Sequence, residues 1–312
     1  MRFDENADLD TSHINDLRGG SGGGGGGGFG GRVAAGGGGL GIVGLIIYFL
    51  LSQLGGGSGG GLALPDLSSL GQGQTVGTSD VANTCKTGSD ANNQLDCEVV
   101  ADINSIDGFW SDQFARSNQT YRAPRTNFFN GSVRTGCGNA TSDTGPFYCP
   151  ADNQVYIDLS FFKELETKFG AKGGPFARAY VLAHEYGHHI QFLLGTTNRV
   201  QSGDTGPTSG SVRLELQADC YAGVWGNHAT QVPTATGRPL ITGVDQDDIN
   251  AALDTASRIG DDYIQTQLAG QSVDQSQFTH GSSAQREKWY STGYKSGQPA
   301  QCDTFARGVN LG

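Results

Sequence analysis

The chain has 312 residues, 36% of them hydrophobic, which suffices for one sizeable folded domain plus appendages. Its 20 basic and 31 acidic side chains leave a formal charge of −11, which argues against a nucleic-acid partner held through basic patches. The 51 glycines far exceed ordinary usage, and many crowd into the first sixty positions, where they cannot build a core.

Residues 1–32 are polar and glycine-rich, with an unbroken run from Gly22 to Gly28, and are predicted to be a disordered tail. The run matches phosphate-loop patterns trivially, but no Gly-Lys-Ser/Thr follows it and no strand precedes it. Residues 33–54 contain no charge, and Leu40 to Leu51 form their apolar centre. At about 1.5 Å per helical residue this stretch can cross a bilayer of roughly 30 Å, so a transmembrane signal anchor is expected. A cleaved signal peptide is the alternative, although it normally starts with a basic region. Arg2, Arg18 and Arg32 precede the span and the next basic residue is Lys86, which puts the N-terminus in the cytoplasm and the bulk of the chain in the periplasm or outside the cell. Residues 55–82, rich in Gly, Ser and Gln, read as a flexible linker, and the folded domain is expected over 83–312.

All six cysteines follow the span, and an even number in an exported domain suggests disulfides. Closeness in sequence favours Cys85–Cys97 and Cys137–Cys149, which leaves Cys220–Cys302. Six buried thiols in a cytosolic protein are the alternative. Helical periodicity covers Glu98 to Arg116, Asn127 to Cys149 is turn-rich, Val155 to Leu159 reads as a short strand, and a helix follows from about Phe161 to Phe169. These elements describe an α+β fold that is mainly helical with a small sheet.

Gly173-Gly174-Pro175 and Gly195 delimit the next helix, from about Pro175 to Leu194. It is apolar on most sides and contains His184-Glu185-Tyr186-Gly187-His188. Residues four apart share a helix face, so His184 and His188 can direct ring nitrogens at one metal ion, with zinc the expected species. Glu185 lies roughly 100° further round, placed to reach a water at the metal and to serve as general base. Gly187 costs about 1 kcal/mol relative to Ala inside a helix, which suggests a close approach to its backbone.

Downstream, Val212 to Trp225 reads as a helix carrying Glu215-Leu216-Gln217-Ala218-Asp219. A Glu–Asp pair on a helix is ordinarily a solvated face; after H-E-x-x-H, Glu215 becomes the candidate third ligand and Asp219 the acceptor for the outward N–H of a ligating histidine. Cys220 is an alternative thiolate ligand. The arrangement resembles the gluzincins, zinc peptidases with H-E-x-x-H on one helix and a glutamate, often within E-x-x-A-D, on a later one.

The resemblance narrows with His188-His189-Ile190-Gln191, Asp219-Cys220, Gly145-Pro146-Phe147-Tyr148-Cys149-Pro150, Val155-Tyr156-Ile157-Asp158-Leu159 and His280-Gly281-Ser282-Ser283-Ala284-Gln285-Arg286. With Met1-Arg2-Phe3 and the Gly-rich lead into one span, the whole is similar to the bacterial family of putative neutral zinc metallopeptidases. That likeness implies a membrane-anchored zincin-like catalytic domain acting on a peptide or protein substrate, and a strand near Val155 lining the cleft and pairing with extended substrate.

Asp245 to Leu268 reads as one further helix and Ser283 to Tyr294 as the last. His280, just before it, is a candidate donor to the oxyanion of a tetrahedral intermediate, with a loop or capping role as the alternative. His189 and His228 lack ligand spacing to a carboxylate and are expected to be ordinary hydrogen-bonded or exposed histidines. The function these residues describe is a membrane-anchored zinc metallopeptidase. The alternative is a membrane-tethered binding or assembly protein on a catalytically latent zincin scaffold.

Overall fold

In the computed structural model, which describes residues 1–18, 81–201, 203–234 and 237–312, the apolar helix around His184 is the pillar on which the other elements stack. The elements follow the order β1 (Arg2–Phe3), β2 (Ile14–Asp16), α1 (Val81–Thr84), α2 (Gly88–Asn93), α3 (Leu95–Arg116), β3 (Arg125–Phe128), β4 (Ser132–Thr135), β5 (Gly138–Thr141), β6 (Phe147–Cys149) and β7 (Gln154–Ile157). Then come α4 (Phe161–Thr167), α5 (Pro175–Leu193), α6 (Gly210–His228), β8 (Ile241–Gly243), α7 (Gln246–Arg258), α8 (Asp261–Tyr263) and α9 (Ser283–Ser296). The class is α+β, as the sequence implies. The span expected over 33–54 lies outside the described residues; among those described, no helix is long and apolar enough to cross a membrane.

Helix α5 starts with Pro175 at its first position, where the missing N–H costs nothing, and ends before Gly195 in the left-handed conformation at φ 73°. It is buried almost all round from Phe176 to Gln191, which is why it shows no clean polar stripe. At Gly187 the backbone of α6 comes close: a Cβ there would lie 3.0 Å from the Cα and carbonyl oxygen of Ala218. Helix α9 packs on the other side of α6 in the same manner, since a Cβ at Gly293 would land on the Cys220 carbonyl and one at Gly223 on the Tyr290 carbonyl. Small residues thus bring three helix backbones together around the H-E-x-x-H turn.

The four-stranded sheet has the order β2-β3-β7-β6, with β2, β3 and β7 parallel and β6 antiparallel at one edge. The region over 127–149, expected to be mostly turns, also contains the hairpin β4–β5 and the edge strand β6. The strands β4 and β5 are short and polar and β6 has only three residues, so none shows a clear alternation; each is ordered by a local hairpin pairing, as in Tyr148↔Val155. All three expected disulfides are formed, Cys85–Cys97, Cys137–Cys149 and Cys220–Cys302, so no thiol of Cys220 is left to act as a ligand.

Two expectations are corrected. The single helix over 245–268 breaks at Gly260, where the backbone of Ser283 occupies the space a side chain would need. The chain restarts there so that Oδ2 of Asp261 accepts the backbone N–H groups of Thr279, His280 and Gly281 at 2.7–2.9 Å. The disordered tail expected over 1–32 does not describe residues 1–18, which belong to the folded body. β1 pairs with β8, β2 adds a parallel strand beside β3, and Phe3 and Ala7 are buried. The side-chain amide of Asn92 bonds both backbone groups of Phe3, and that of Asn104 does the same for Asp10. Arg18 joins Asp16 and Asp96 at 2.7 Å each and lies over the Phe128 ring. A polar segment held this way, by distant amides and carboxylates, looks disordered when judged by its own composition.

Candidate active site

One turn of α5 places His184 and His188 on the face toward α6, and α6 presents Glu215 to the gap between them. The two Nε2 atoms are 3.2 Å apart, and Glu215 puts Oε2 at 3.2 Å from the first and Oε1 at 3.2 Å from the second. Ligands of a tetrahedral zinc, at roughly 2.0–2.1 Å from the ion, are about 3.3 Å from one another, so the spacing fits that metal. The three residues are also the one group among those described whose donor atoms converge as a metal site requires.

The electrostatics agree with the spacing. Glu215 is fully buried, and neither carboxylate oxygen receives a hydrogen bond, a costly arrangement unless a cation stands in front of it. Burial opposes a charge on His184, but Asp219 and Glu215 outweigh it and raise its pKa to about 10. The pocket therefore attracts positive charge, either a proton or a metal ion that displaces it.

Each ring turns its other nitrogen to a partner. His184 Nδ1 lies 2.8 Å from Oδ1 of Asp219, the contact anticipated from E-x-x-A-D. Asp219 in turn accepts from the Tyr180 hydroxyl at 2.6 Å and from Nε and Nη2 of Arg286, each at 2.9 Å. Burial would raise the Asp219 pKa, but the Arg286 guanidinium and the His184 ring hold it below the usual carboxylate range. His188 Nδ1 lies 2.9 Å from Oε1 of Gln191. Sequence reasoning assigned no role to Tyr180, Arg286 or Gln191. Tyr180 and Gln191 carried a usable signal, four residues before His184 and three after His188, whereas Arg286 arrives from a helix 67 residues beyond Asp219.

Glu185 is buried beside this centre, and burial raises its pKa above the ordinary glutamate value. Its Oε2 accepts the backbone N–H of Tyr148 at 2.9 Å. That bond shows which strand borders the site. β7, the strand expected to line the cleft, lies between β3 and β6 and has no free edge; β6 is the outer strand, and its Tyr148 N–H points out of the sheet at the candidate base. The Tyr148 ring packs against His189 and Phe192, of which Phe192 is exposed.

The remaining histidines are held in place by the protein. His189 is bound through Nε2 to the Arg122 carbonyl at 2.7 Å, and burial lowers its pKa to about 4. His228 bonds the Gly297 carbonyl at 3.0 Å and stacks on Phe109. His280 has no exposed surface; its Nδ1 lies 2.7 Å from the Thr279 hydroxyl and 3.3 Å from Asp261, and its charge is near enough to Glu215 to help lower that pKa.

A family model described as putative neutral zinc metallopeptidase matches residues 1–305. Among curated proteins, uncharacterized protein Rv2575 of Mycobacterium tuberculosis strain H37Rv is 49% identical over 223 residues, covering 71% of this chain and 74% of its own. Uncharacterized protein YpfJ of Escherichia coli K12 is 42% identical over 249 residues, covering 78% of this chain and 82% of its own. No solved structure matches the chain significantly.

Proposed function

The chain belongs to the family of putative neutral zinc metallopeptidases, and from that premise we propose that it hydrolyses peptide bonds in a peptide or protein substrate. The observation that carries the reading is the triangle of His184, His188 and Glu215 at 3.2 Å spacing with the carboxylate of Glu185 beside it. His184, His188 and Glu215 hold the zinc, which supplies Lewis acidity to water and to the scissile carbonyl when bound.

Glu185 takes the proton of the attacking water and passes it to the leaving nitrogen. The Tyr148 N–H fixes Oε2, which leaves Oε1 to carry the proton and keeps the carboxylate from swinging toward the metal ligands. Burial raises the pKa of Glu185, so the carboxylate takes the proton of the water more readily, and the proton still passes on downhill because the leaving amine is the stronger base. Extended substrate lies beside β6, where side-chain pockets supply preference, the Tyr148 N–H being already held by Glu185. The three disulfides support a compartment outside the cytoplasm, and the uncharged sequence over 33–54 supports attachment to a membrane.

The test is metal content and peptidase activity of the full-length chain against Glu185→Gln. One zinc per chain in both, with cleavage reduced on the order of 10²- to 10⁴-fold in the variant, is the expected result. Stoichiometric zinc with no cleavage by either protein would replace this reading with a latent scaffold, and no zinc at all would remove the site.

A further inference from the structure

The stretch Ile190-Gln191 that follows the second histidine has no place in the chemistry above, yet Gln191 is 1% exposed and every polar atom of its side chain is engaged. Its Nε2 donates to the Leu214 carbonyl at 2.7 Å and to Oε1 of Gln217 at 3.2 Å. Gln217, also buried, donates from its own Nε2 to the Cys302 carbonyl at 2.9 Å. A backbone carbonyl only accepts, so the two ends of this chain dictate every orientation between them. Cys302 forces the Gln217 amide to turn its NH₂ outward and its oxygen toward Gln191. Gln217 and Leu214 together then claim both protons of the Gln191 NH₂ group. What remains for His188 is the Gln191 oxygen, and Nδ1 of that ring has to be the donor.

We infer that Gln191 and Gln217 are positioning residues that fix the tautomer of His188, leaving its Nε2 with a lone pair directed at the metal position. The inference rests on the zinc-site reading given above and assigns to a neutral amide relay the part that Asp219 plays for His184. The relay begins on α5 with Gln191, and both of its anchors are tied to α6: Leu214 lies one residue from Glu215, and Cys302 is bonded to Cys220, one residue from Asp219. One rigid unit thereby sets the ring of His188 and the helix that carries the third ligand.

The test uses the full-length chain and two readouts other than turnover. ¹⁵N shifts of the His188 ring in the metal-free protein at pH 9 report which nitrogen carries the proton, and competition with a chromophoric chelator reports zinc affinity. The wild type is expected to hold a proton on Nδ1. Gln191→Met is expected to lose that fixed proton position and to bind zinc about 10- to 100-fold more weakly. Gln191→Glu keeps an acceptor opposite Nδ1 and is expected to restore the tautomer. Gln217→Leu, which leaves the Leu214 anchor in place, is expected to lower affinity in the same direction by less, and it carries the test should Gln191→Met fail to fold. Unchanged tautomer and affinity in these variants would overturn the relay while the zinc site stands. Absence of zinc from a wild type that still shows Nδ1–H would instead overturn the zinc reading and leave the relay intact.

Discussion

The ammonium group of Met1 lies 2.6 Å from the carboxylate of Asp248, so the first residue of the chain is an ion-pair partner of the first turn of α7. The described N-terminal segment also ends on the body: Arg18 bonds Asp96, and the chain resumes at α1 just ahead of Cys85, which is bonded to the neighbouring Cys97. Arg18 and Cys85 therefore both lie by the start of α3. The positive-inside placement, which separates the arginines before residue 33 from the domain, and the docking of residues 1–18 on that domain lead to different labelling patterns. Cysteines introduced at exposed Glu5 and Asp247 are expected to react alike with a membrane-impermeant maleimide in intact cells. Labelling of only one of them would show that residues 1–18 are not docked in the cell.

Arg286 is buried and doubly bonded to Asp219, which makes it the counter-charge for the carboxylate behind His184. Replacing it with Met leaves that carboxylate in the core with the Tyr180 hydroxyl and the His184 ring but without its guanidinium, which costs on the order of 3–5 kcal/mol. Arg286→Lys keeps the charge but not the two parallel bonds and should fall between. Urea unfolding of the metal-free proteins measures the cost. A Met variant within about 1 kcal/mol of wild type would mean that the guanidinium does not support Asp219.

Gly187 is the contact point of α5 with α6, and the atoms it meets belong to Ala218, which sits between Gln217 and Asp219. Gly187→Ala gains about 1 kcal/mol in helix propensity. Against this, a Cβ held 3.0 Å from the neighbouring backbone forces the helices apart at a cost of roughly 1–3 kcal/mol. Because the displaced residues include Asp219, which holds His184, and Gln217, which holds the Gln191 amide behind His188, zinc affinity is expected to fall more than thermal stability does. Chelator competition alongside a melting curve separates the two, and unchanged zinc affinity would show that the site tolerates the shift.

The convergence of His184, His188 and Glu215, with Asp219 behind His184, was legible because helical spacing is a local rule and four-residue intervals within two helices fix all four. Gly187 was legible as well, since a glycine inside a helix implies something close by. What stayed hidden has partners far away in the chain. Arg286 reaches Asp219 from another helix, Tyr148 meets Glu185 through a backbone N–H that no side-chain pattern reveals, and β6 becomes the edge only once β3 and β7 have paired. Residues 1–18 were hidden for the same reason, because their order is supplied by Asn92, Asn104 and Asp96.

His189 offers a pH signature that does not pass through the metal ligands. It is 2% exposed, and burial lowers its pKa to about 4, against about 6.5 in the unfolded chain. A folded state that refuses a proton the unfolded state accepts is stable above pH 6.5 and loses that contribution as pH falls from there toward 4. Between pH 7 and pH 5 the loss amounts to about 2 kcal/mol. His189→Gln keeps a donor for the Arg122 carbonyl and removes the titration. Its stability at pH 7 is expected to be lower than that of the wild type, with a shallower decline on acidification. Urea midpoints at the two pH values decide the matter, since the other titrating groups are common to both proteins and cancel in the difference. Parallel declines would mean that His189 takes up its proton in the folded protein near the ordinary pH, and that the ring is less enclosed than its bond to Arg122 implies.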